Sequence, residues 1–386
     1  MKNNLTRKIR YNKASDLRFL QSGEEYFSAL LGIIQNAKKL IYLQVYTLDP
    51  DNTGNMIMNA LKEAVQKNVK VYVLVDAYGS KALTKKQMRE MQEAGIHCRR
   101  FSPIVLLKFR AGRRLHHKIT VVDGNTAIIG GINISDKYRG DDTTLPWLDF
   151  GVQVSGPVVM DLQKLCERMY YPDRLPGSVK RIKKPITDTG QYETCVVHSD
   201  WFRRKNKINY HFKQAIRHAE KDIVIICSYF IPSFRLIVLL KKASQRGINI
   251  KLYLQGKSDV PVARDATRFF YRIFFKHQMK IFEFPERILH GKLWMVDDKI
   301  ICIGSYNFNH LSEYTSIETN IQIANNEFCN TVRNELENTF EKYAEPVPEE
   351  EFLQKLKSLQ RLRLWASYTA TTILMKLAFT FTSKSS

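Results

Sequence analysis

A short pattern of chemically capable side chains occurs twice in this chain of 386 residues. The first copy reads HHKITVVDGNTAIIGGIN over 116–133, and the second reads HGKLWMVDDKIICIGSYN over 290–307. The candidate catalytic residues are His116, Lys118, Asp123, His290, Lys292 and Asp297, and the candidate substrate-binding residues are Asn133 and Asn307. One copy alone is a weak signal, but two copies in register predict a site that is built twice.

These residue types favour chemistry on a phosphodiester. One His attacks phosphorus and forms a phosphoryl-histidine intermediate, while the other gives a proton to the leaving alkoxide and takes one from the incoming alcohol or water. The Lys and Asn side chains stabilise charge that builds on the non-bridging oxygens. Asp149 and Glu318, each at the head of a later strand, are candidates to orient the imidazoles. Because two ammonium groups beside two imidazoles would repel a divalent cation, we expect no metal and no cofactor.

The elements around each copy must bring the His and the Lys to one side of the backbone. In both copies an apolar run follows the Lys, ends at Asp-Gly or Asp-Asp, and is followed by a second apolar run, which predicts a β-hairpin. Alternate residues of a strand share a face, so each His lies beside its Lys. Asp123 and Asp297 stand at the turn, where turn formation or a structural ion pair explains them as well as direct chemistry does.

Each hairpin lies within a longer internal repeat. Both halves present helix, strand, helix, strand, a variable segment and then the hairpin, and the segment 26–49 is answered by 211–232. We predict an α/β fold of two similar domains, 1–180 and 181–345, each a mixed β-sheet flanked by helices. A pseudo-twofold axis would relate them and create one shared active site. The predicted join is the segment 173–190, which is rich in Pro, Gly and Lys.

The composition predicts an anionic partner. Sixty Lys and Arg against 38 Asp and Glu give a formal net charge of +22, which attracts nucleic acid or an anionic membrane surface. The six cysteines form no close pair, which argues against a zinc module and a disulfide framework. We expect neither a secretory signal nor a membrane-spanning helix, because no uninterrupted apolar run is long enough.

Three basic and apolar segments bear on the choice between those partners. The segments 104–115 and 268–282 each precede a candidate His. An amphipathic helix packed on the core explains each of them, and access of an apolar anionic substrate is the competing interpretation. The tail 346–386 alternates basic and apolar residues and then becomes uncharged, which is typical of a helix lying in the membrane interface. A helix docked on the body, or an oligomer contact, is the alternative for the tail.

The doubled pattern resembles the signature of the phospholipase D superfamily, up to about residue 343. The resemblance implies two domains with one shared active site and a metal-independent, covalent-histidine mechanism. By position in the pattern, it implies that His116 is the nucleophile and His290 the general acid and base.

Within the superfamily, the first half is similar to bacterial cardiolipin synthases, in the short form without N-terminal transmembrane helices. The segments that carry this similarity are YTLDPDNTG at 46–54, VDAYGS at 75–80, GGINISDKY at 130–138, PWLDFGVQVSGP at 146–157 and SYFIP at 228–232. The resemblance implies a peripheral enzyme on the cytoplasmic side of a bacterial cell membrane. It would make cardiolipin by transesterification between phosphatidylglycerol and a second phospholipid, through a phosphohistidine.

Two other activities remain open from the sequence. One is a phospholipase D that hydrolyses phospholipids, and the other is a nuclease of the same superfamily. The resemblance favours an anionic phospholipid and the membrane surface over nucleic acid as the partner. The segment 304–318 is looser than the family's second-half sequence, which leaves the second lipid open.

Overall fold

The computed structural model describes residues 11–102, 113–172, 190–200, 205–309, 312 and 316–383. The predicted join between the halves and most of the first basic segment lie outside these residues.

The first half is built around a seven-stranded mixed sheet. Its elements in chain order are β1 (Asn12–Ala14), β2 (Asp16–Gln21), α1 (Glu24–Gln35), β3 (Leu40–Val45), α2 (Asn52–Gln66), β4 (Lys70–Asp76), α3 (Lys85–Glu93), β5 (His97–Phe101), β6 (Arg114–Leu115), β7 (Lys118–Val122), β8 (Thr126–Gly130), α4 (Asp136–Arg139), β9 (Phe150–Ser155) and α5 (Val159–Tyr170). The strand order is β2-β9-β8-β7-β3-β4-β5. Strands β3, β4 and β5 are parallel, and β7 runs antiparallel to β3.

The second half forms the larger sheet. Its elements are β10 (Tyr192–Asp200), β11 (Lys205–Asn206), α6 (Lys207–His218), β12 (Asp222–Cys227), α7 (Phe234–Gln245), β13 (Asn249–Gln255), α8 (Pro261–Arg268), α9 (Tyr271–Lys276), β14 (Lys280–Phe284), β15 (Lys292–Val296), β16 (Ile300–Gly304), β17 (Ser316–Ala324), α10 (Asn326–Tyr343), β18 (Glu345–Pro346), α11 (Glu349–Lys355) and α12 (Ser358–Ser383). The strand order β10-β17-β16-β15-β12-β13-β14 repeats that of the first sheet position by position.

The identical strand order confirms the predicted duplication and its pseudo-twofold relation. One pair of matching strands was not predicted: β5 and β14 lie inside the segments that the sequence presents as variable. Both are only five residues long and contain basic residues, so their strand signal is weak. They extend each sheet by one parallel strand beyond β4 and β13.

Both halves contribute to one of the hydrophobic core clusters. Side chains of β9, such as Val152, and of β16 and β17, such as Ile301 and Ile321, belong to the same continuous buried cluster. Two first-half strands also join the sheet of the second half, β1 beside β10 and β6 beside β17. We propose that the domains divide near residue 180, with β1 and β6 as arms that cross the boundary. The shared core holds the two hairpins in a fixed relation.

The second basic segment serves the core. The aromatic residues of α9 and the residue before it are buried in a cluster of the second half: Phe270, Tyr271, Phe274 and Phe275. This burial favours the packed-helix interpretation of 268–282 over a substrate path.

The C-terminal helix α12 docks on α8. Arg363 lies 2.7 Å from Asp265, and Tyr368 stacks on Phe269 with ring centroids 4.7 Å apart. Several large apolar side chains elsewhere on α12 are exposed: Leu359, Leu362, Trp365, Ile373 and Leu374. Within the part of the chain that the structure describes, neither α12 nor any other helix combines the length and apolarity needed to span a bilayer.

Candidate active site

His116 stands two residues before β7, at the boundary between the halves. Its Nδ1 lies 3.0 Å from Oε2 of Glu318, a fully buried carboxylate at the start of β17. Ser305 donates its hydroxyl to the same oxygen at 2.5 Å. Because a carboxylate only accepts, the ring donates Nδ1–H, and the Nε2 lone pair is left for chemistry.

His290 occupies the matching position before β15. Its Nδ1 lies 2.6 Å from Oδ2 of Asp149 and 3.3 Å from the hydroxyl of Tyr138. The rings of Trp147 and Tyr229 flank the imidazole, with centroids 6.0 and 6.4 Å away. In both sites the carboxylate comes from the other half of the chain, so neither half orients its own His.

The two lysines are buried and held by the same backbone contact. Lys118 Nζ donates to the carbonyl of His116 at 2.5 Å, and Lys292 Nζ donates to the carbonyl of His290. Lys292 Nζ also lies 3.7 Å from Oδ2 of Asp149. The strand alternation thus places each ammonium beside its imidazole, as the sequence pattern predicts.

Burial lowers the pKa of both buried lysines, and repulsion between ammonium groups adds to the shift at Lys118. Burial, and then the neighbouring Lys292, lower the pKa of Lys118 to about 7, against the opposing effect of Glu318. Burial also lowers the pKa of Lys292, with Asp149 acting in the other direction. The pKa of each ammonium is affected by charges of the other half, so the two lysines belong to one pocket. An anion bound between them would stabilise their charged forms.

The surroundings lower the pKa of both imidazoles. Burial lowers the pKa of His116, and the carboxylate of Glu318 opposes this shift. Burial and the adjacent Lys292 lower the pKa of His290 to about 4. An anion between the lysines would raise both pKa values, because it stabilises the imidazolium form.

The two predicted substrate-binding amides are largely engaged by the protein. Asn133 accepts from the backbone N–H of Thr47 at 3.1 Å and donates to the Tyr138 hydroxyl at 2.9 Å. Asn307 accepts from the hydroxyl of Ser228 at 2.8 Å. Both residues therefore fix the strand ends that border the pocket. Only amide N–H groups are left for a substrate, and their contact with it stays a proposal.

Asp123 and Asp297 lie at the far end of the hairpins, and their contacts there favour turn formation over the predicted catalytic role. Each stands five positions beyond its Lys with a positive φ, 52° and 57° respectively. Each carboxylate accepts three backbone N–H groups at 2.7–3.0 Å. The donors are Lys38, Lys39 and Leu40 for the first, and Glu220, Lys221 and Asp222 for the second. These contacts clamp the chain entering β3 and β12, which is a structural function.

The Gly-Gly or Gly-Ser pair brings the hairpin close to the orienting carboxylate. A Cβ on Gly131 would lie 2.2 Å from Oδ1 of Asp149, so this position in the first half excludes a side chain. The matching position in the second half is Ser305, which hydrogen-bonds Glu318 instead. The pair thus sets the distance between the hairpin and the neighbouring strand.

The residue between His and Lys packs against the other half in both copies. In the second copy, a Cβ on Gly291 would lie 2.4 Å from the ring of Phe150. In the first copy, His117 lies between Gln44 and Thr319, with contacts of 2.9 and 3.3 Å to its two ring nitrogens. Phe150 and Thr319 hold equivalent places, each directly after an orienting carboxylate. Beside the second copy, the large Phe150 of the strand meets the small Gly291 of the hairpin. Beside the first copy, the smaller Thr319 of the strand meets the large His117 of the hairpin.

The backbone before each His is anchored by the last residue of a parallel strand. Asp76, at the end of β4, accepts from the N–H of Leu115 at 2.9 Å. Gln255, at the end of β13, donates to the carbonyl of Leu289 at 2.7 Å. These matching hydrogen bonds fix the backbone position from which each His side chain extends.

An aromatic wall around the pocket was not predicted from the sequence. Tyr46 meets His116 edge-on with ring centroids 5.0 Å apart, and Lys118 Nζ lies 5.4 Å from the Tyr46 ring. Tyr138 and Tyr229 border His290. Tyr46 lies just after β3 and Tyr229 just after β12, whereas Tyr138 lies in α4. Side chains at the carboxyl ends of parallel strands converge on one edge of a sheet, so the positions of Tyr46 and Tyr229 are a signal that the sequence offers.

The pocket offers no cage for a metal ion. Among the described residues, no group of three or more His, Cys, Asp or Glu side chains is arranged to hold one. The two carboxylates of the site are committed to imidazoles, and two ammonium groups stand beside them.

Comparisons with known proteins agree with this architecture. The family described as "Cardiolipin synthase, PLD-like domain" matches residues 30–142 and 212–340. Cardiolipin synthase B of Shigella flexneri is 30% identical over 85% of this chain and 81% of its own length. Cardiolipin synthase A of Pseudomonas fluorescens is 29% identical over 90% of this chain and 73% of its own length. The crystal structure of phosphatidylserine synthase from Haemophilus influenzae has the same fold, with a TM-score of 0.74 at 15% identity, and covers 96% of this chain and 97% of that one.

Proposed function

This chain belongs to the family of cardiolipin synthases with phospholipase D-like domains, and on that premise we propose that it makes cardiolipin. The proposed donor is phosphatidylglycerol, and a second phospholipid supplies the accepting hydroxyl. The observation that carries the proposal is the pair of His and Lys sets in one pocket, each imidazole oriented by a carboxylate of the other half.

In the first step, Nε2 of His116 attacks the phosphorus of phosphatidylglycerol. The P–N bond forms and the P–O bond to the headgroup glycerol breaks, while Nε2 of His290 donates its proton to the leaving oxygen. Lys118 and Lys292 stabilise the charge on the non-bridging oxygens. Free glycerol leaves, and the phosphatidyl group stays on His116.

In the second step, His290 acts as the base. Its Nε2 takes the proton of the incoming lipid hydroxyl, the oxygen of that hydroxyl attacks phosphorus, and the P–N bond breaks. His290 is then protonated for another cycle and His116 is free. The assignment of the two roles follows the family resemblance, since both imidazoles have equivalent partners.

The lowered pKa values fit this cycle once substrate is considered. The lowered pKa of His116 favours the neutral ring that attacks, and a phosphodiester anion beside His290 raises the pKa of His290 from about 4 toward the range in which it holds a proton. The negative charge of the substrate would therefore stabilise the protonated form of His290, the general acid. Without an anion, burial favours the neutral form of both rings.

The surface around the pocket supports a membrane as the place of action. Exposed apolar side chains follow the carboxyl ends of β4, β12 and β13, the sheet edges at which the two His stand: Tyr78, Phe234, Val260 and Val262. Arg235 and Lys257 are exposed among them. We propose that this rim and the exposed side of α12 dock on an anionic bilayer, on the cytoplasmic side of a bacterial cell membrane.

The test is product analysis with vesicles of phosphatidylglycerol. Mass spectrometry should detect cardiolipin and free glycerol, and a chelator should not reduce either product. The His116→Ala and His290→Ala variants serve as controls. Phosphatidic acid without cardiolipin would replace the proposal by hydrolysis, and cleavage of labelled nucleic acid without any lipid turnover would replace it by a nuclease.

A further inference from the structure

The pseudo-twofold symmetry breaks at the mouth of the pocket beside His290. Asp49 N donates to Ile134 O at 3.0 Å in the first half, and Ile231 N donates to Phe308 O at 3.0 Å in the second. These matching bonds make Tyr229, two residues before Ile231, the counterpart of Thr47, two residues before Asp49. An aromatic hydroxyl therefore stands on the His290 side where a threonine stands on the other.

A carboxylate is added at the same place. Asp259 lies four residues after the end of β13, and Ser80 lies four residues after the end of β4. Ser80 is buried and occupied by backbone, since it donates to Tyr46 O and accepts from Leu48 N, both at 3.0 Å. Asp259 is exposed. At this position the second half exposes an anionic side chain to solvent, whereas the first half has a buried serine that hydrogen-bonds the backbone.

Asp259 and Tyr229 form one unit next to the reacting groups. The Tyr229 hydroxyl lies 2.8 and 2.7 Å from the two carboxylate oxygens of Asp259. The Tyr229 ring stands almost perpendicular to His290, with centroids 6.4 Å apart. Gln255, which anchors the chain before His290, lies 3.5 Å from Asp259. Since Tyr229 donates only one hydrogen, the carboxylate keeps accepting capacity toward the pocket mouth.

The carboxylate of Asp259 is an unfavourable neighbour for a phosphodiester. Its position beside a cationic pocket is therefore better explained by a different group of the substrate. Like charges repel, and this repulsion would weaken binding of the phosphate itself. A carboxylate is, however, a strong acceptor for hydroxyl groups. A headgroup with two adjacent hydroxyls can donate to the carboxylate with one while the other reacts. The side on which this acceptor lies is that of His290, the proposed proton carrier for the alcohol.

We propose that Asp259, held by Tyr229, is a specificity-determining residue that binds a free hydroxyl of a polyol headgroup as that headgroup leaves or enters. The inference rests on the proposed function, because it names the alcohol side of that reaction. The subsite favours a glycerol-type alcohol over one that has a single hydroxyl. It acts on the choice of acceptor and does not touch phosphorus.

The test is a competition between two acceptors in one reaction. Vesicles of phosphatidylglycerol are incubated with equal concentrations of deuterated glycerol and 1-propanol, and the ratio of deuterated phosphatidylglycerol to phosphatidylpropanol is measured by mass spectrometry. In Asp259→Asn this ratio should fall about tenfold, the effect expected for a lost hydrogen bond to a charged group. Tyr229→Phe, which frees the carboxylate from its support, should lower the ratio by a smaller factor.

The control for the competition is a variant that loses the same charge far from the pocket. Glu220→Gln removes one carboxylate at the opposite edge of the same sheet, where Glu220 pairs with Lys299, and should leave the ratio unchanged. If both transfers fall by the same factor in Asp259→Asn and Tyr229→Phe, the subsite is wrong while the proposed function stands. If the unaltered protein transfers phosphatidyl to neither alcohol and forms no cardiolipin, the proposed function fails first.

Discussion

Lys118 links anion binding to pH at the scale of one side chain. Its pKa is about 7, so the ammonium is charged below that pH and neutral above it. Sulfate stays a dianion across this range and is therefore a suitable probe. We expect its inhibition constant to rise up to about tenfold per pH unit above pH 7, because one proton is coupled to binding. A steady-state inhibition series from pH 6 to 9 measures this.

The control for this prediction is a cation that does not titrate. Arg keeps its charge over the whole range, so Lys118→Arg should bind sulfate with little change between pH 7 and 9. An inhibition constant that is flat with pH in the unaltered protein would contradict the assignment of the titration to Lys118.

The two imidazoles should differ in covalent labelling. With phosphatidylglycerol labelled in its acyl chains, His116→Ala should carry no label, because the attacking nitrogen is gone. His290→Ala should still trap label, since the intermediate forms slowly but its resolution also lacks a base. Acid-quenched protein on a denaturing gel measures both. Equal labelling of the two variants would overturn the assignment of roles.

Asp123 and Asp297 should matter for stability rather than for chemistry. Each carboxylate accepts three backbone N–H groups, and an amide in its place accepts more weakly. We expect Asp123→Asn and Asp297→Asn to lower the free energy of unfolding by about 1–3 kcal/mol each, measured in urea. The folded fraction should keep its specific activity. Asp142→Asn, at an exposed position, is the matched control and should change neither quantity.

At the scale of elements, the hairpins and the repeat could be predicted from the sequence. Short apolar runs, turn residues at fixed spacing and a second copy all indicate the same local structure. The exchange of carboxylates between the halves could not be predicted. Asp149 and Glu318 stand at equivalent positions of equivalent strands, and only the packing of the two sheets decides which imidazole each one meets. The aromatic wall was missed for the same reason, since its members come from separate segments of the chain.

Helix α12 should contribute to membrane binding through its exposed apolar side chains. A variant with Leu359, Leu362 and Trp365 all replaced by Ser removes apolar surface that the helix does not use for docking on α8. We expect it to float less with anionic vesicles, and the residual binding to be more sensitive to salt because electrostatic attraction remains. Tyr210→Ser on α6 is the control at another exposed site. Unchanged flotation of the triple variant would remove α12 from the docking surface.

At the scale of the whole molecule, the shared core predicts that the halves unfold together. Ile321 lies in β17 within the cluster that both halves build. Replacing it by Ala should cost about 2–5 kcal/mol. Hydrogen exchange followed by mass spectrometry should show protection lost in β7 and β8 as well as in β15 and β16. Loss confined to the second half would show that the halves are stable independently.

The exchanged sizes at the boundary have a consequence for how the halves can pair. Phe150 fits against Gly291, and Thr319 fits against His117. Joining two copies of the first half would drive the Phe150 ring into His117, and joining two copies of the second would leave a gap between Thr319 and Gly291. Each half is therefore shaped for the other and is a poor partner for a copy of itself, so one half used twice cannot replace the pair.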